Sequence, residues 1–195
     1  MKKILKIIYI IICVKLPIFF NRFYFKLFKV KYGKGLTAIG KVFVRNHGCF
    51  IVGNNFRINS NISSNPAGGP YRTALVVANN AELIIGNNVG ISGTTIVAQN
   101  SIVIEDYVML GSGVCVYDTD FHSLKLENRI SDVDTDVKTK PVKICKGVFV
   151  GARSIILKGV EIGENSIIGA GSVVTQNVPP NEIWAGNPAR FIRKL

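Results

Sequence analysis

The chain is predicted to be all-β: a parallel β-helix wound as a triangular prism, with a helical segment before it and a capping tail after it. Three observations predict this. Ile144, Val150, Ile156, Ile162, Ile168 and Val174 stand at unbroken steps of six. Glycine follows three of them, at Gly151, Gly163 and Gly169. Apolar residues make up 48% of the chain, with 19 Gly and only 18% charged residues, a balance that suits a repetitive, turn-rich β protein and argues against disorder. A helix repeats every 3.6 residues and a strand every 2, so a strict six fits neither alone. It fits three short strands per turn, each pointing one aliphatic residue inward.

Residues 1–35 are read as a basic, aromatic helical leader. They hold nine of the 24 Lys/Arg, which leaves 15 against 12 acids in the rest, too even a balance for a nucleic-acid partner. The longest unbroken apolar run, Ile7 to Val14, is well short of the roughly 20 residues of a bilayer span. Leu16-Pro17-Ile18-Phe19-Phe20 is too bulky for a signal cleavage site. Two readings stay open. One is a helix broken at Pro17 that packs on the body or on a neighbouring subunit. The other is an interfacial helix within residues 1–30, its aromatics inserted and its lysines on anionic lipid. The lysines do not fall on one face, which weighs against the second.

Residues 36–178 carry the repeat. Ile39-Gly40 and Val52-Gly53 read as first coils. Ile85-Gly86, Ile91-Ser92 and Val97-Ala98 keep the step of six, one residue is added, and Ile104, Leu110 and Val116 resume it. The pairs Asn54-Asn55, Asn79-Asn80 and Asn87-Asn88, with the glycines, mark corners, because Asn and Gly tolerate positive φ. Two excursions interrupt the rhythm, at 60–73 and 117–143, and long excursions between regular coils are more often functional than decorative. The repeat stops at Pro179-Pro180, and residues 179–195 are expected to cap the prism. Cys13, Cys49, Cys115 and Cys145 show no CxxC pairing and are read as buried reduced thiols of a cytoplasmic protein, ahead of metal binding or disulfides. The period does not reveal the winding hand.

The run from Ile162 to Thr175 (IGENSIIGAGSVVT), Val178-Pro179-Pro180, Ala185-Gly186-Asn187-Pro188-Ala189-Arg190 and the segment Asp118-Thr119-Asp120-Phe121-His122-Ser123 resemble the hexapeptide-repeat acyltransferases, in the branch of galactoside, maltose and capsular-sugar O-acetyltransferases. The resemblance covers about residues 36–195; the leader is similar to that of some polysaccharide-locus members. It implies a left-handed β-helix, a homotrimer, acetyl-CoA as donor and a sugar or glycan acceptor. It also implies a pantetheine groove shared between neighbouring prisms. The expected setting is cytoplasmic, with peripheral contact at the inner membrane through residues 1–30.

Acyl transfer to a hydroxyl needs a proton acceptor and support for the developing oxyanion. Histidine, with an ordinary pKa of about 6.5, suits the first role. His122 lies in the segment matching the family's catalytic loop and is assigned general base, against the plainer reading of a solvated loop histidine. That loop is one residue longer before the histidine than in the galactoside enzymes. His47 reads as a surface or corner residue. Asp118 or Asp120 is a candidate to orient the imidazole, cap a turn or touch the acceptor, and Ser92 lies near a polar acceptor contact of the family. Backbone N–H groups at prism corners are candidate oxyanion donors.

By resemblance, Gly151-Ala152 and Gly169-Ala170 line the CoA corners, and Phe149 stands where the galactoside enzymes carry Trp. Thr175 and Gln176 match a Thr-Lys pair near the adenosine end. The lost lysine shifts phosphate neutralisation to Arg190 and Arg193. Asp132, Asp134 and Asp136 alternate like the opening of a calcium loop but lack its Gly and closing Glu, so they read as solvated and no metal is expected.

The function expected is O-acetyl transfer. N-acetylation of an amino-sugar nucleotide is the near alternative, and a non-catalytic β-helix scaffold the distant one. Serine acetylation requires a large helical domain that the leader cannot supply. A hydratase of the γ-carbonic-anhydrase kind needs three histidine ligands, and the chain has two histidines.

Overall fold

The computed structural model describes residues 16–62, 65–66 and 69–195. Its strands follow one another around three faces. Face A stacks β1 (Lys31–Tyr32), β4 (Cys49–Val52), β7 (Glu82–Ile85), β10 (Ser101–Ile104), β13 (Val142–Ile144) and β16 (Glu161–Ile162). Face B stacks β2 (Thr37–Gly40), β5 (Arg57–Ser60), β8 (Gly90–Ser92), β11 (Met109–Leu110), β14 (Phe149–Val150) and β17 (Ile167–Ile168), then β19 (Glu182–Gly186) and β20 (Ala189–Lys194). Face C stacks β3 (Phe43–Asn46), β6 (Ala74–Val77), β9 (Thr95–Ala98), β12 (Cys115–Tyr117), β15 (Ile155–Ile156) and β18 (Val173–Val174). The chain visits A, B and C in turn.

The step of six becomes register. Ile144 pairs with Ile162, Val150 with Ile168 and Ile156 with Val174, and all six side chains are fully buried. Burying each is worth about 1.5–3 kcal/mol. Each coil covers only its neighbours, so stability adds coil by coil.

The early coils differ from the expected phase at two places. In β2, Ala38 and Gly40 face inward and Ile39 outward; in β9, Ile96 and Ala98 face inward and Val97 outward. These four-residue strands bury two alternating positions, so a corner of different length shifts the inward set by one residue. The asparagines do hold left-handed corners, with φ of 57° at Asn55, 61° at Asn80 and 57° at Asn88. Gly151 and Gly163 have another reason to be glycine. A Cβ there would run into the backbone nitrogen of Ala170 or Pro180 in the coil below.

Helix α1 (Leu16–Leu27) closes the upper end. Phe25 packs on Phe50 and edge-on to Tyr32. The buried Asn21 amide donates to the carbonyls of Ala38 and Gly40, at 2.9 and 2.7 Å. Pro17 is helical here; what precedes Leu16, Cys13 included, lies outside the described residues. The prism starts inside the stretch assigned to the leader, because Lys31 already pairs with Ile51. The tail is likewise continuous with it. β19 extends face B in parallel, with Trp184 beneath Ile168, and β20 folds back antiparallel on β19. Cys49, Cys115 and Cys145 are free thiols; Cys145 is buried as expected, which pushes its thiol up, but Cys115 is half-buried and Cys49 is exposed on an outward strand position.

Candidate active site

The long excursion leaves the prism at the corner between faces C and A, from the end of β12. Asp118 is fully buried there, and its carboxylate accepts the backbone N–H of Gln99 and of Asn100, both at 2.8 Å. Burial pushes this carboxyl up, against the pull of the N–H donors. Asp118 therefore ties the loop root to the coil above, both of its carboxylate oxygens turned to backbone donors there and not to the imidazole. Asp120 is engaged as well, with Lys158 Nζ 2.8 Å from its carboxylate. Neither expected aspartate orients His122.

Asp134 does. His122 Nδ1 lies 2.8 Å from Asp134 Oδ2, and the same carboxylate accepts the Ser123 N–H at 3.1 Å. The turn that brings them together is fixed from several sides. Arg129 donates to Ser123 O at 2.7 Å, and Asn128 donates to Thr135 O at 3.1 Å. Thr119 bridges Thr139, and Asp120 N–H donates to Lys138 O. Phe121 sits at φ 64° and meets Tyr117 edge-on. Burial pushes the Tyr117 phenol up. The His122 ring itself is 73% exposed. With its Nδ1–H donated to Asp134, the imidazole presents the Nε2 lone pair outward, the form a general base needs. The sequence marked Asp134 only within the alternation Asp132, Asp134, Asp136, in which Asp136 pairs with Lys125 and Lys138. Among the described residues no cluster of three or more His, Cys, Asp or Glu could hold a metal ion.

The residues expected to line the donor site fall into two groups. Gly151-Ala152 and Gly169-Ala170 occupy the corner between faces B and C, one coil apart, with Ala185 and its partner Arg190 next in line. Phe149 faces out from β14, in a row with Ile167, Ile183 and Arg193. Three strand spacings, about 14 Å, separate Phe149 from Arg193. Thr175 and Gln176 do not join them. They follow β18 at the corner between C and A, the corner that carries the His122 loop. The N–H groups of Gly151 and Gly169 donate to Ile168 O and Trp184 O, which removes these two as oxyanion donors.

A groove of about 560 Å³ runs along face B past Arg57, Asn65, Gly90, Ser92, Met109 and Phe149. Asn65, from the first excursion, donates to Ser92 Oγ at 2.7 Å. Arg57, Asn65 and Met109 carry no mark in the sequence, because nothing in the repeat distinguishes an outward residue over a groove from one in open solvent. In a triangular cross-section the corner between C and A lies opposite face B. His122 and this groove are thus on opposite sides of one chain.

A family model described as bacterial transferase hexapeptide (six repeats) matches residues 141–176. The galactoside O-acetyltransferase of Escherichia coli is 38% identical over 101 residues, covering 52% of this chain and 48% of that protein. The crystal structure of a maltose O-acetyltransferase from Clostridium difficile is 31% identical, covers 76% of this chain and 68% of its own, and superposes with a TM-score of 0.53. That of a hexapeptide-repeat acetyltransferase from Vibrio cholerae is 27% identical over 72% of this chain and 70% of its own, with a TM-score of 0.57. The prism has the left-handed winding of these structures. The chain spans about half the length of the curated relatives it matches.

Proposed function

Because the chain belongs to the bacterial hexapeptide-repeat transferase family, we propose that it carries an acetyl group from acetyl-CoA to a hydroxyl of a sugar or polysaccharide precursor. The observation that carries this reading is the His122–Asp134 pair at 2.8 Å, held on an exposed loop with Nε2 free to face an acceptor. Acetyl-CoA supplies an activated acyl carbon as a thioester. His122 Nε2 takes the acceptor's hydroxyl proton as the oxygen bonds to that carbon. The carbon–sulfur bond breaks, and the imidazolium returns the proton to the departing sulfur, leaving an ester and a free thiol. Asp134 holds the ring and steadies the transient imidazolium.

The groove on face B fits the donor's mixed alkyl and amide arm. Met109 and Phe149 give it an apolar wall, and Gly90 leaves it open, since a Cβ there would meet nothing within 4 Å. Arg190 and Arg193 stand exposed at the far end of the same face, where phosphates can be met. The imidazole and this groove lie on opposite sides of the prism, so we assign the working unit to a homotrimer. In it the loop of one copy meets face B of the next, and a closed three-fold ring repeats that contact without loose ends.

The test is thiol release and acetyl transfer against a panel of sugars, oligosaccharides and sugar nucleotides, amino-sugar nucleotides included, with His122→Ala beside the wild type. Transfer to hydroxyls, lost in the variant, is expected. Full transfer by His122→Ala would remove the base, transfer to amines alone would replace the ester by an amide, and no thiol release with any acceptor would overturn the reading.

A further inference from the structure

Helix α1 has two apolar faces, and among the described residues one of them is covered and the other is not. Phe25 and Asn21 point into the prism end. Leu16, Phe20, Phe23 and Leu27, at i, i+4, i+7 and i+11, form a stripe on the opposite side, and all four are exposed. Phe19 and Tyr24 widen it and are exposed as well. The stripe continues into a groove of about 730 Å³ between α1 and the first excursion, walled by Pro17, Ile62 and Tyr71, with Lys41 and Arg72 also on its lining. A monomer rarely leaves so many aromatic residues contiguous in water.

The charge around the stripe is of one sign. Residues 1–81 contain thirteen Lys/Arg and no Asp or Glu, whereas residues 82–195 carry eleven Lys/Arg against twelve acids. Arg22, Lys26, Lys29, Lys31 and Lys34 lie on or beside α1 and are exposed. Arg22 is partly committed, donating to Leu36 O at 2.8 Å. A second copy meeting this stripe with its own stripe would set cations against cations, since the acids all lie in residues 82–195. An anionic surface meets both features at once, taking the aromatics into its acyl boundary and the Lys/Arg onto its phosphates.

We propose that the upper end of the prism is a membrane-docking face, on which α1 lies in the plane of an anionic bilayer with the Leu16–Phe20–Phe23–Leu27 stripe inserted. This surface is separate from the His122 loop and from the groove on face B, and it stands whether or not acetyl transfer is observed. No described helix is long and apolar enough to cross a membrane, which agrees with a helix lying on the surface.

The test is flotation of the full chain with vesicles of phosphatidylcholine alone and of phosphatidylcholine with phosphatidylglycerol. The comparison chains are Phe20→Ser/Phe23→Ser/Leu27→Ser and Lys26→Glu/Lys31→Glu. All the substituted side chains are exposed, so Phe25 and Asn21 still hold the helix to the prism. The wild type is expected to float with the anionic vesicles, weakly or not at all with the neutral ones, and to be released by salt. The Lys26→Glu/Lys31→Glu variant is expected to lose more than tenfold in partitioning, since one basic residue at an anionic surface is worth about fivefold, and the serine variant more than tenfold, since it removes three inserted apolar side chains. Failure of the wild type to float with anionic vesicles would overturn the proposal. So would undiminished flotation of the serine variant, which would place any membrane contact elsewhere in the chain. A wild-type assembly that falls apart in the serine variant, with no vesicle binding, would reassign the stripe to a second copy.

Discussion

His122 and Asp134 are twelve residues apart in sequence, yet Nδ1 of one lies 2.8 Å from Oδ2 of the other. The pair is made within the loop, so its geometry does not depend on how neighbouring prisms meet. His122→Ala is expected to lower kcat about 10²- to 10⁴-fold, the usual worth of a general base. Asp134 acts through the imidazole, and Asp134→Asn is expected to cost about 10- to 100-fold in kcat, less than loss of the base itself. Adding Asp134→Asn to His122→Ala should cost almost nothing more, because residues that act as a unit are not additive. Steady-state kinetics of the three variants decide it. A further large loss in the double variant would give Asp134 a role of its own.

The difference between the expected and observed partner shows what the sequence could carry. A period of six is a statement about inward residues, and from Ile144 to Val174 it reads off the whole lower prism. The same pattern is silent about outward residues and loops. Asp118 and Asp120 stand beside His122 in the chain, but the corner above leaves Gln99 N–H and Asn100 N–H unpaired, and Asp118 is drawn to them. Asp134 reaches the ring because the loop doubles back, and no local periodicity records that. Ile39 and Val97 face outward for a simpler reason: a four-residue strand buries two alternating positions, so apolar character alone does not say which parity faces in.

Asp118 predicts a stability effect that Asp120 does not share. Asp118→Ala takes the acceptor from the Gln99 and Asn100 N–H groups at a part-buried corner, about 1–3 kcal/mol in all. Asp120→Ala removes a partly exposed pair with Lys158, worth at most about 1 kcal/mol. Urea unfolding should show a clear fall in midpoint for the first and little change for the second. Equal midpoints would mean that the Asp118 cap is replaced by water.

Gly151 and Gly90 separate packing from access. A methyl at Gly151 meets the backbone of Ala170, which cannot rotate away, so Gly151→Ala is expected to cost about 1–3 kcal/mol. At Gly90 the same methyl meets nothing, so Gly90→Ala should stay within about 0.5 kcal/mol of wild type. Gly90→Phe would keep the fold and fill the groove beside Met109 and Phe149. It is expected to raise KM for the acyl donor with the melting temperature nearly unchanged. An unaltered KM would move the donor off face B.

Asp106 predicts how the fold answers to acid. Its carboxylate accepts the Asn87 backbone N–H at 2.6 Å and the Asn87 side-chain amide at 3.1 and 3.2 Å, and Asn87 in turn accepts the Asn54 backbone N–H at 2.9 Å. These hydrogen bonds, the backbone one first, hold the Asp106 carboxyl below its ordinary value. A carboxylate depressed in the folded state stabilises the fold above its unfolded pKa, about 3.9, and that contribution is lost as pH falls through the lower folded value. Asp106→Asn should therefore be less stable than wild type at neutral pH. The gap should begin to narrow below about pH 4 and continue to close as the wild-type carboxylate takes up its proton. Unfolding curves of both proteins across this range measure it directly. A gap that stayed constant would mean that the corner column is held by the shape of the Asp106 side chain and not by its charge.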